Sequence, residues 1–185
     1  KLAAKQNTFT DFVACARHLV AAGYTTTSRL VAEGGSAGGL LIGAALNLAP
    51  DAFGAAHAAV PFVDALTTTL DPDLPLTVSE WEEWGDPLHD PEAYARMRAY
   101  SPYENVRELR YPPILVTAGL NDTRVEVTEP AKWVAQLRHV TGATDRVLLR
   151  TEVAAGRGGN SGRYQAWRDA AFELAWMVSA TPPHP

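Results

Sequence analysis

The sequence has few cysteines, no long apolar run and no excess of positive charge, and each shortage excludes a class of protein. Its 185 residues include one cysteine, Cys15, which excludes an internal disulfide framework and a cysteine-based metal cluster. Lys and Arg number 16 against 21 Asp and Glu, which argues against a general nucleic-acid-binding protein. No apolar run approaches the roughly 18–20 residues of a membrane-spanning helix. We therefore expect neither nucleic acid nor membrane as a partner, and no metal or organic cofactor.

The composition is that of one globular domain. Hydrophobic residues make up 46% and charged residues 20% of the chain, which is too apolar for a disordered segment. The first residues contain neither an initiator Met nor a signal-peptide core. We interpret the chain as a piece of a longer protein, and the lack of a signal and of disulfides predicts a cytoplasmic location.

Predicted strands and helices alternate along the chain, which indicates a mostly parallel α/β sheet with helices on its faces. Apolar runs predict strands at 30–33, 55–61, 114–118 and 147–149, and helical periodicity predicts helices at 8–24, 37–48 and 129–140 and after Ser161. Cys15 falls in the first helix, where we expect a small buried residue. Residues 64–112 predict a short helix and then a lid-like excursion with a helix near 91–99. The strand at 30–33 is expected at an uncovered edge of the sheet.

A Gly-rich motif lies between the first predicted strand and the second helix. Gly34-Gly35-Ser36-Ala37-Gly38 fits G-x-S-x-G, in which a strained strand-to-helix turn exposes the serine hydroxyl as a nucleophile. The backbone N–H of Ala37, at a helix N-terminus, is then a candidate oxyanion donor. The alternative interpretation is a tight Gly-rich turn without chemistry.

The partners of a serine nucleophile follow in the order acid and then histidine in this type of fold. Asp122 stands directly after the strand at 114–118, where the acid is expected. The loop after the next strand has Arg157 at its centre. The five histidines fall elsewhere and are expected to be structural or surface residues: His18, His57, His89, His139 and His184.

Seven blocks of sequence extend these motifs over nearly the whole chain. They read GGSAGG at 34–39, VPFVD at 60–64, EWEEWG at 80–85, YSPY at 100–103, GLND at 119–122, EPAKWV at 129–134 and GGNSGR at 158–163. Together they resemble the oligopeptidase B group of the prolyl oligopeptidase family of serine peptidases. The resemblance implies an α/β-hydrolase fold, of which residues 1–185 would form one partial catalytic domain. The family's N-terminal β-propeller and the first hydrolase strands would be absent.

The resemblance also assigns roles to particular residues. Ser36 would be the nucleophile and Asp122 the orienting acid, while Arg157 occupies the position of the family's catalytic histidine. A guanidinium with a pKa above about 12 cannot accept the serine proton near neutral pH, so we expect little or no activity. An ion pair of Arg157 with Asp122 would instead close the site.

In the family, the acids at the positions of Glu80 and Glu82 are associated with selecting a basic residue before the cleaved bond. An extended segment would direct both carboxylates to the same side, where they could bind one guanidinium.

Three functions remain open from the sequence. The first is an oligopeptidase that cleaves short peptides after Arg or Lys. The second is a non-catalytic remnant that binds short basic peptides, or a chain supplying the missing N-terminal part. The third is an esterase of the wider hydrolase fold.

Overall fold

A parallel four-stranded sheet forms the centre of the computed structural model, which describes residues 1–153, 156 and 163–182. The described strands lie in the order β1-β2-β3-β4 and all neighbours are parallel. Their bounds are β1 Val31–Gly35, β2 Ala55–Ala59, β3 Ile114–Gly119 and β4 Val147–Glu152. The helices are α1 Gln6–Ala21, α2 Ala37–Leu48, α3 Ala65–Thr69, α4 Thr77–Trp84, α5 Pro91–Tyr100, α6 Thr128–Thr141 and α7 Arg163–Ser179. The predicted alternation of strands and helices is confirmed.

One face of the sheet carries the main apolar core. Alternate residues of the central strands, such as Ala58 and Val116, pack there with residues of α1, α2 and α6. Trp133 of α6 and Ile42 of α2 are fully buried in this core. Small alanines in β2 allow these helices to approach the sheet closely.

The burial of residues along α1 differs from the sequence prediction at one position, Cys15. The helix buries Phe9, Val13 and Ala16, which recur at the spacing of one helical face. Cys15 lies off this face and is exposed, so its predicted burial was wrong.

Residues 64–112 contain three helices, and α3 corresponds to the short helix predicted at the start of this segment. The helix near 91–99 is confirmed as α5, whose Asp90 caps the N-terminus by accepting a hydrogen bond from the Glu92 N–H at 2.8 Å. Helix α4 was not predicted. It ends at Trp84, and the next residue, Gly85, adopts a φ of 101° that favours glycine.

Helix α7 packs on the opposite face of the sheet, above His57 of β2. This histidine is buried, and its ring nitrogens lie 3.1 Å from Glu33 Oε1 and 3.1 Å from Thr117 Oγ1. Its predicted structural role is therefore confirmed. Within the described part of the chain, none of the helices combines the length and apolar composition needed to cross a membrane.

Candidate functional site

Ser36 sits at a sharp turn between β1 and α2. Its φ of 58° and ψ of −121° are strained for a residue with a side chain, at a cost of about 1–3 kcal/mol. The turn is fixed by its backbone: the Ser36 N–H donates to Ala59 O at 2.9 Å, and Ser36 O accepts from the N–H groups of Gly39 and Phe62 at 2.8 and 3.0 Å. The structure thus has the strand-turn-helix geometry that the G-x-S-x-G motif requires.

Two glycines allow this turn to form. A Cβ at Gly34 would lie 2.5 Å from Gly38 O, and one at Gly39 would lie 2.4 Å from the Cβ of Pro61. Both distances are too short for any side chain, so helix α2 can approach β1 and the segment after β2 only with glycine at these positions.

Asp122 lies in the loop after β3, at the same carboxyl edge of the sheet as Ser36. It is buried, and its Oδ1 accepts hydrogen bonds from the N–H groups of Arg124 and Val125 at 2.8 and 3.2 Å. These bonds fix the orientation of the carboxylate and bring Arg124 and Val125 to the wall of the cavity that Ser36 lines.

Position 157 lies outside the described residues. The nearest described neighbour, Gly156, lies against the acid loop, since a Cβ built on it would be 3.1 Å from Asn121 O. Asn121 also donates from Nδ2 to Val153 O at 3.1 Å, and the Leu120 N–H donates to Glu152 O at 3.0 Å. The end of β4 is therefore bound to the loop that carries Asp122.

Ser36, Ala37 and Glu80 line one small cavity of about 40 Å³. Phe62 and Thr68 contribute to its wall from the segment after β2. The structure therefore brings the candidate nucleophile, the candidate oxyanion donor and one candidate specificity acid together.

Glu82 does not join them, which corrects the extended geometry expected for residues 80–82. These residues belong to helix α4, where positions two apart point about 200° away from each other. Glu80 accepts a hydrogen bond from Trp84 Nε1 at 2.8 Å, one helical turn later, whereas Glu82 is exposed. The two carboxylates cannot converge on one guanidinium in this conformation.

A buried acid of α6, at a position where the sequence indicates only the start of a helix, forms a further part of the site. Glu129 accepts hydrogen bonds from the Asp64 N–H at 3.0 Å and from the Thr68 hydroxyl at 2.7 Å. Lys132, one turn along α6, pairs with the Asp64 carboxylate. We call these four residues the α6 clasp. It connects the helix after the Asp122 loop to the segment that lines the Ser36 cavity.

The clasp gives the chain a pH-dependent stability that is testable. Burial raises the pKa of Glu129 to about 7 from its ordinary 4.5, so the folded state binds more protons than the unfolded state between these values. The free energy of unfolding of the natural chain should therefore fall as the pH rises through this window and be level above it. Glu129→Gln removes the charge, and we expect it to be more stable than the natural chain by about 2–3 kcal/mol at pH 8.

Urea unfolding of both proteins at pH 5, 6, 7 and 8 measures this difference. The exposed Glu126 provides a matched control, because its side chain is not buried and Glu126→Gln should change the free energy of unfolding by no more than about 0.5 kcal/mol. A Glu129→Gln difference that is independent of pH, or that grows towards acid, would contradict the assignment.

Among the described residues, no group of three or more His, Cys, Asp or Glu side chains has the arrangement of a metal site.

The chain matches a known protein family and several proteins of that family. A sequence model of the prolyl oligopeptidase family matches residues 1–182. The chain is 48% identical over 178 residues to Protease 2 of Moraxella lacunata, covering 96% of this chain and 26% of that protein. It is 46% identical to dipeptidyl aminopeptidase BI of Pseudoxanthomonas mexicana, covering 96% and 24% respectively.

Solved structures agree with the sequence matches. Oligopeptidase B from Leishmania major has 48% identity and a TM-score of 0.92, covering 95% of this chain and 24% of that chain. Oligopeptidase B from Trypanosoma brucei, with covalently bound antipain, has 47% identity and a TM-score of 0.91, with 95% and 25% covered. The resemblance and the predicted α/β-hydrolase fold are confirmed, and the chain spans about a quarter of the length of these relatives.

Proposed function

Because the chain belongs to the prolyl oligopeptidase family of serine peptidases, we propose that it carries the nucleophile half of a peptidase site that selects Arg or Lys before the cleaved bond. The observation that carries this proposal is the shared cavity of Ser36 and Glu80. A carboxylate in the cavity of the nucleophile favours a substrate with a guanidinium or ammonium side chain, through charge-assisted hydrogen bonds. Short basic peptides are therefore the proposed substrates or ligands.

The proposed reaction is hydrolysis of a peptide bond through an acyl-serine intermediate on Ser36. Ser36 Oγ attacks the peptide carbonyl carbon while its proton passes to a base, and the resulting oxyanion accepts a hydrogen bond from the Ala37 N–H. The C–N bond then breaks, the leaving amine takes the proton, and water hydrolyses the acyl-serine ester. Asp122 would orient the base. This sequence of steps needs a proton acceptor at position 157.

Arg157 does not supply that acceptor, because a guanidinium stays protonated at neutral pH. We therefore propose that the natural chain has little or no peptidase activity although its nucleophile turn is formed. The competing function is a non-catalytic remnant that binds basic peptides at the Glu80 side of the cavity. The presence of arginine at position 157 favours this alternative for the natural sequence.

A substrate panel separates these functions. Since the chain spans a quarter of its relatives, we would test it in a chimera in which it replaces the 178 matching residues of M. lacunata Protease 2. We call this protein the Protease 2 chimera. With Arg157→His, we expect it to cleave a fluorogenic peptide with Arg before the reporter at least about 100-fold faster than the matched Leu peptide. Hydrolysis of a simple ester without preference for Arg would indicate an esterase, and binding without turnover would indicate the remnant.

A further inference from the structure

Helix α7 faces the sheet with its polar side. Asp169 pairs with Arg150 of β4 at 2.7 Å and accepts a hydrogen bond from Gln165 at 3.1 Å. Glu173 lies 3.8 Å from Nε2 of the buried His57. Residues 165, 169 and 173 are spaced by four and share one side of the helix, so ionic and polar contacts attach α7 to β2 and β4.

The opposite side of α7 is apolar and exposed. Tyr164, Trp167, Ala171, Leu174 and Val178 recur at spacings of 3, 4, 3 and 4 residues, which aligns them along one stripe. We call these five residues the outer stripe. Its four large side chains are between 59% and 74% exposed, and α7 has no buried residue along its 17 positions.

Such a stripe is typical of a surface that packs against another helix. The 3-4 spacing is the one that interlocks side chains between two helices crossing at a shallow angle. The stripe lies about 180° around α7 from the side attached to the sheet, so the second helix would form an additional layer outside α7.

The charges beside the stripe indicate what this helix carries. Arg163 and Arg168 flank it near the N-terminus of α7, and both are exposed. The partial positive charge of the helix N-terminus adds to their field. A helix with an apolar stripe and acidic flanks is therefore complementary to this surface.

A second copy of the chain that pairs through its own α7 does not fit these charges. In a parallel pair of α7 helices, Arg163 and Arg168 would meet the same two residues of the partner. In an antiparallel pair they would meet the C-terminal half of α7, whose acid Glu173 faces the sheet and His57. Neither arrangement supplies a carboxylate to the arginines.

We propose that the outer stripe is the docking surface for an amphipathic helix from the three quarters of a full-length family polypeptide that this chain does not span. The helix covers Trp167, Leu174 and Val178 with apolar residues and places acids beside Arg163 and Arg168. This surface is independent of the proposed peptidase chemistry, because its occupancy does not depend on Ser36 or on position 157.

Cysteine accessibility tests the docking surface without measuring hydrolysis. In a Cys15→Ser background, Leu174→Cys, Val178→Cys and, as a control, Tyr24→Cys would be treated with a maleimide. Tyr24 is 79% exposed in the turn after α1. Each variant is prepared as the 185-residue chain and in the Protease 2 chimera, and the modification rates are followed by mass spectrometry.

We expect the cysteines at 174 and 178 to react at least tenfold more slowly in the chimera than in the isolated chain, while the cysteine at 24 reacts at a similar rate in both. A slowing at 174 and 178 no larger than that at 24 would overturn the proposal. Concentration-dependent protection of position 174 in the isolated chain, with a dimer by light scattering, would overturn it in favour of a second copy.

Discussion

Arg157→His is expected to raise the rate of cleavage of an Arg-containing fluorogenic peptide by the Protease 2 chimera by several orders of magnitude. The imidazole can accept the Ser36 proton and return it to the leaving amine, whereas the guanidinium stays protonated throughout. Loss of the base of a serine-protease triad lowers kcat on the order of a millionfold, which sets the upper limit of the expected gain. The measurement is kcat on the Arg peptide at neutral pH.

Two further variants identify the cause of the gain. Arg157→Gln removes the positive charge without supplying a base, and it should stay near the rate of the arginine form. If the Gln variant is as active as the His variant, a blocking charge and not a missing base silences the site. Equal rates for arginine and histidine at position 157, or activity that survives Ser36→Ala, would contradict the proposal.

Glu80→Gln is expected to have the second largest effect, on substrate preference. Glu80 lines the Ser36 cavity, and its carboxylate is oriented by the Trp84 indole N–H. A hydrogen bond to a charged group contributes about 1.5–3 kcal/mol, so kcat/KM for the Arg peptide should fall roughly 10- to 150-fold in the Arg157→His chimera. The Leu peptide has no charged side chain that could bind Glu80, so its kcat/KM should change little.

Glu82→Gln is the matched control, since it removes the same charge two residues later on the same helix. Glu82 points away from Glu80 around α4 and is exposed, so its substitution should reduce kcat/KM for the Arg peptide much less. A larger effect of Glu82→Gln than of Glu80→Gln would show that the substrate-bound enzyme has a different arrangement of this segment.

Local signals explain which parts of the fold the sequence predicted. The Ser36 turn follows from short-range rules, because the motif, the preceding apolar strand and the following helix are contiguous in the chain. The predicted bounds of α2, 37–48, match the structure, since Ser36 begins the turn and Pro50 closes it. The loop position of Asp122 follows from the strand before it.

The α6 clasp and helix α4 were not predicted because both depend on contacts between residues far apart in the chain. The α6 clasp joins Glu129 to Asp64, 65 positions earlier, and no local pattern reveals that pairing. Helix α4 was missed because its acids and tryptophans show no sustained apolar period. Its hydrogen bonds with other parts of the fold, such as Trp81 Nε1 to Thr69 O at 3.4 Å, form only in the tertiary structure. The directions of Glu80 and Glu82 depend on that helix.

The side of α7 that faces the sheet also depends on long-range contacts that the sequence does not reveal. The sequence predicts a last helix after Ser161, and Leu174 and Val178 are among its apolar residues. In the structure these two residues are exposed, because Asp169 and Glu173 occupy the side that contacts Arg150 and His57. A sequence pattern identifies an apolar stripe, but it does not state whether the sheet or another segment covers it.

Covalent labelling of Ser36 tests the central claim most directly, namely that the chain carries a formed serine nucleophile whose base is missing. The Protease 2 chimera with arginine and with histidine at position 157 would be treated with a fluorophosphonate, digested and mapped by mass spectrometry. We predict a stoichiometric adduct on the peptide containing Ser36 in the histidine form, and labelling at least a thousandfold slower in the arginine form. Equal labelling of the two forms, or an adduct on another residue, would contradict the account.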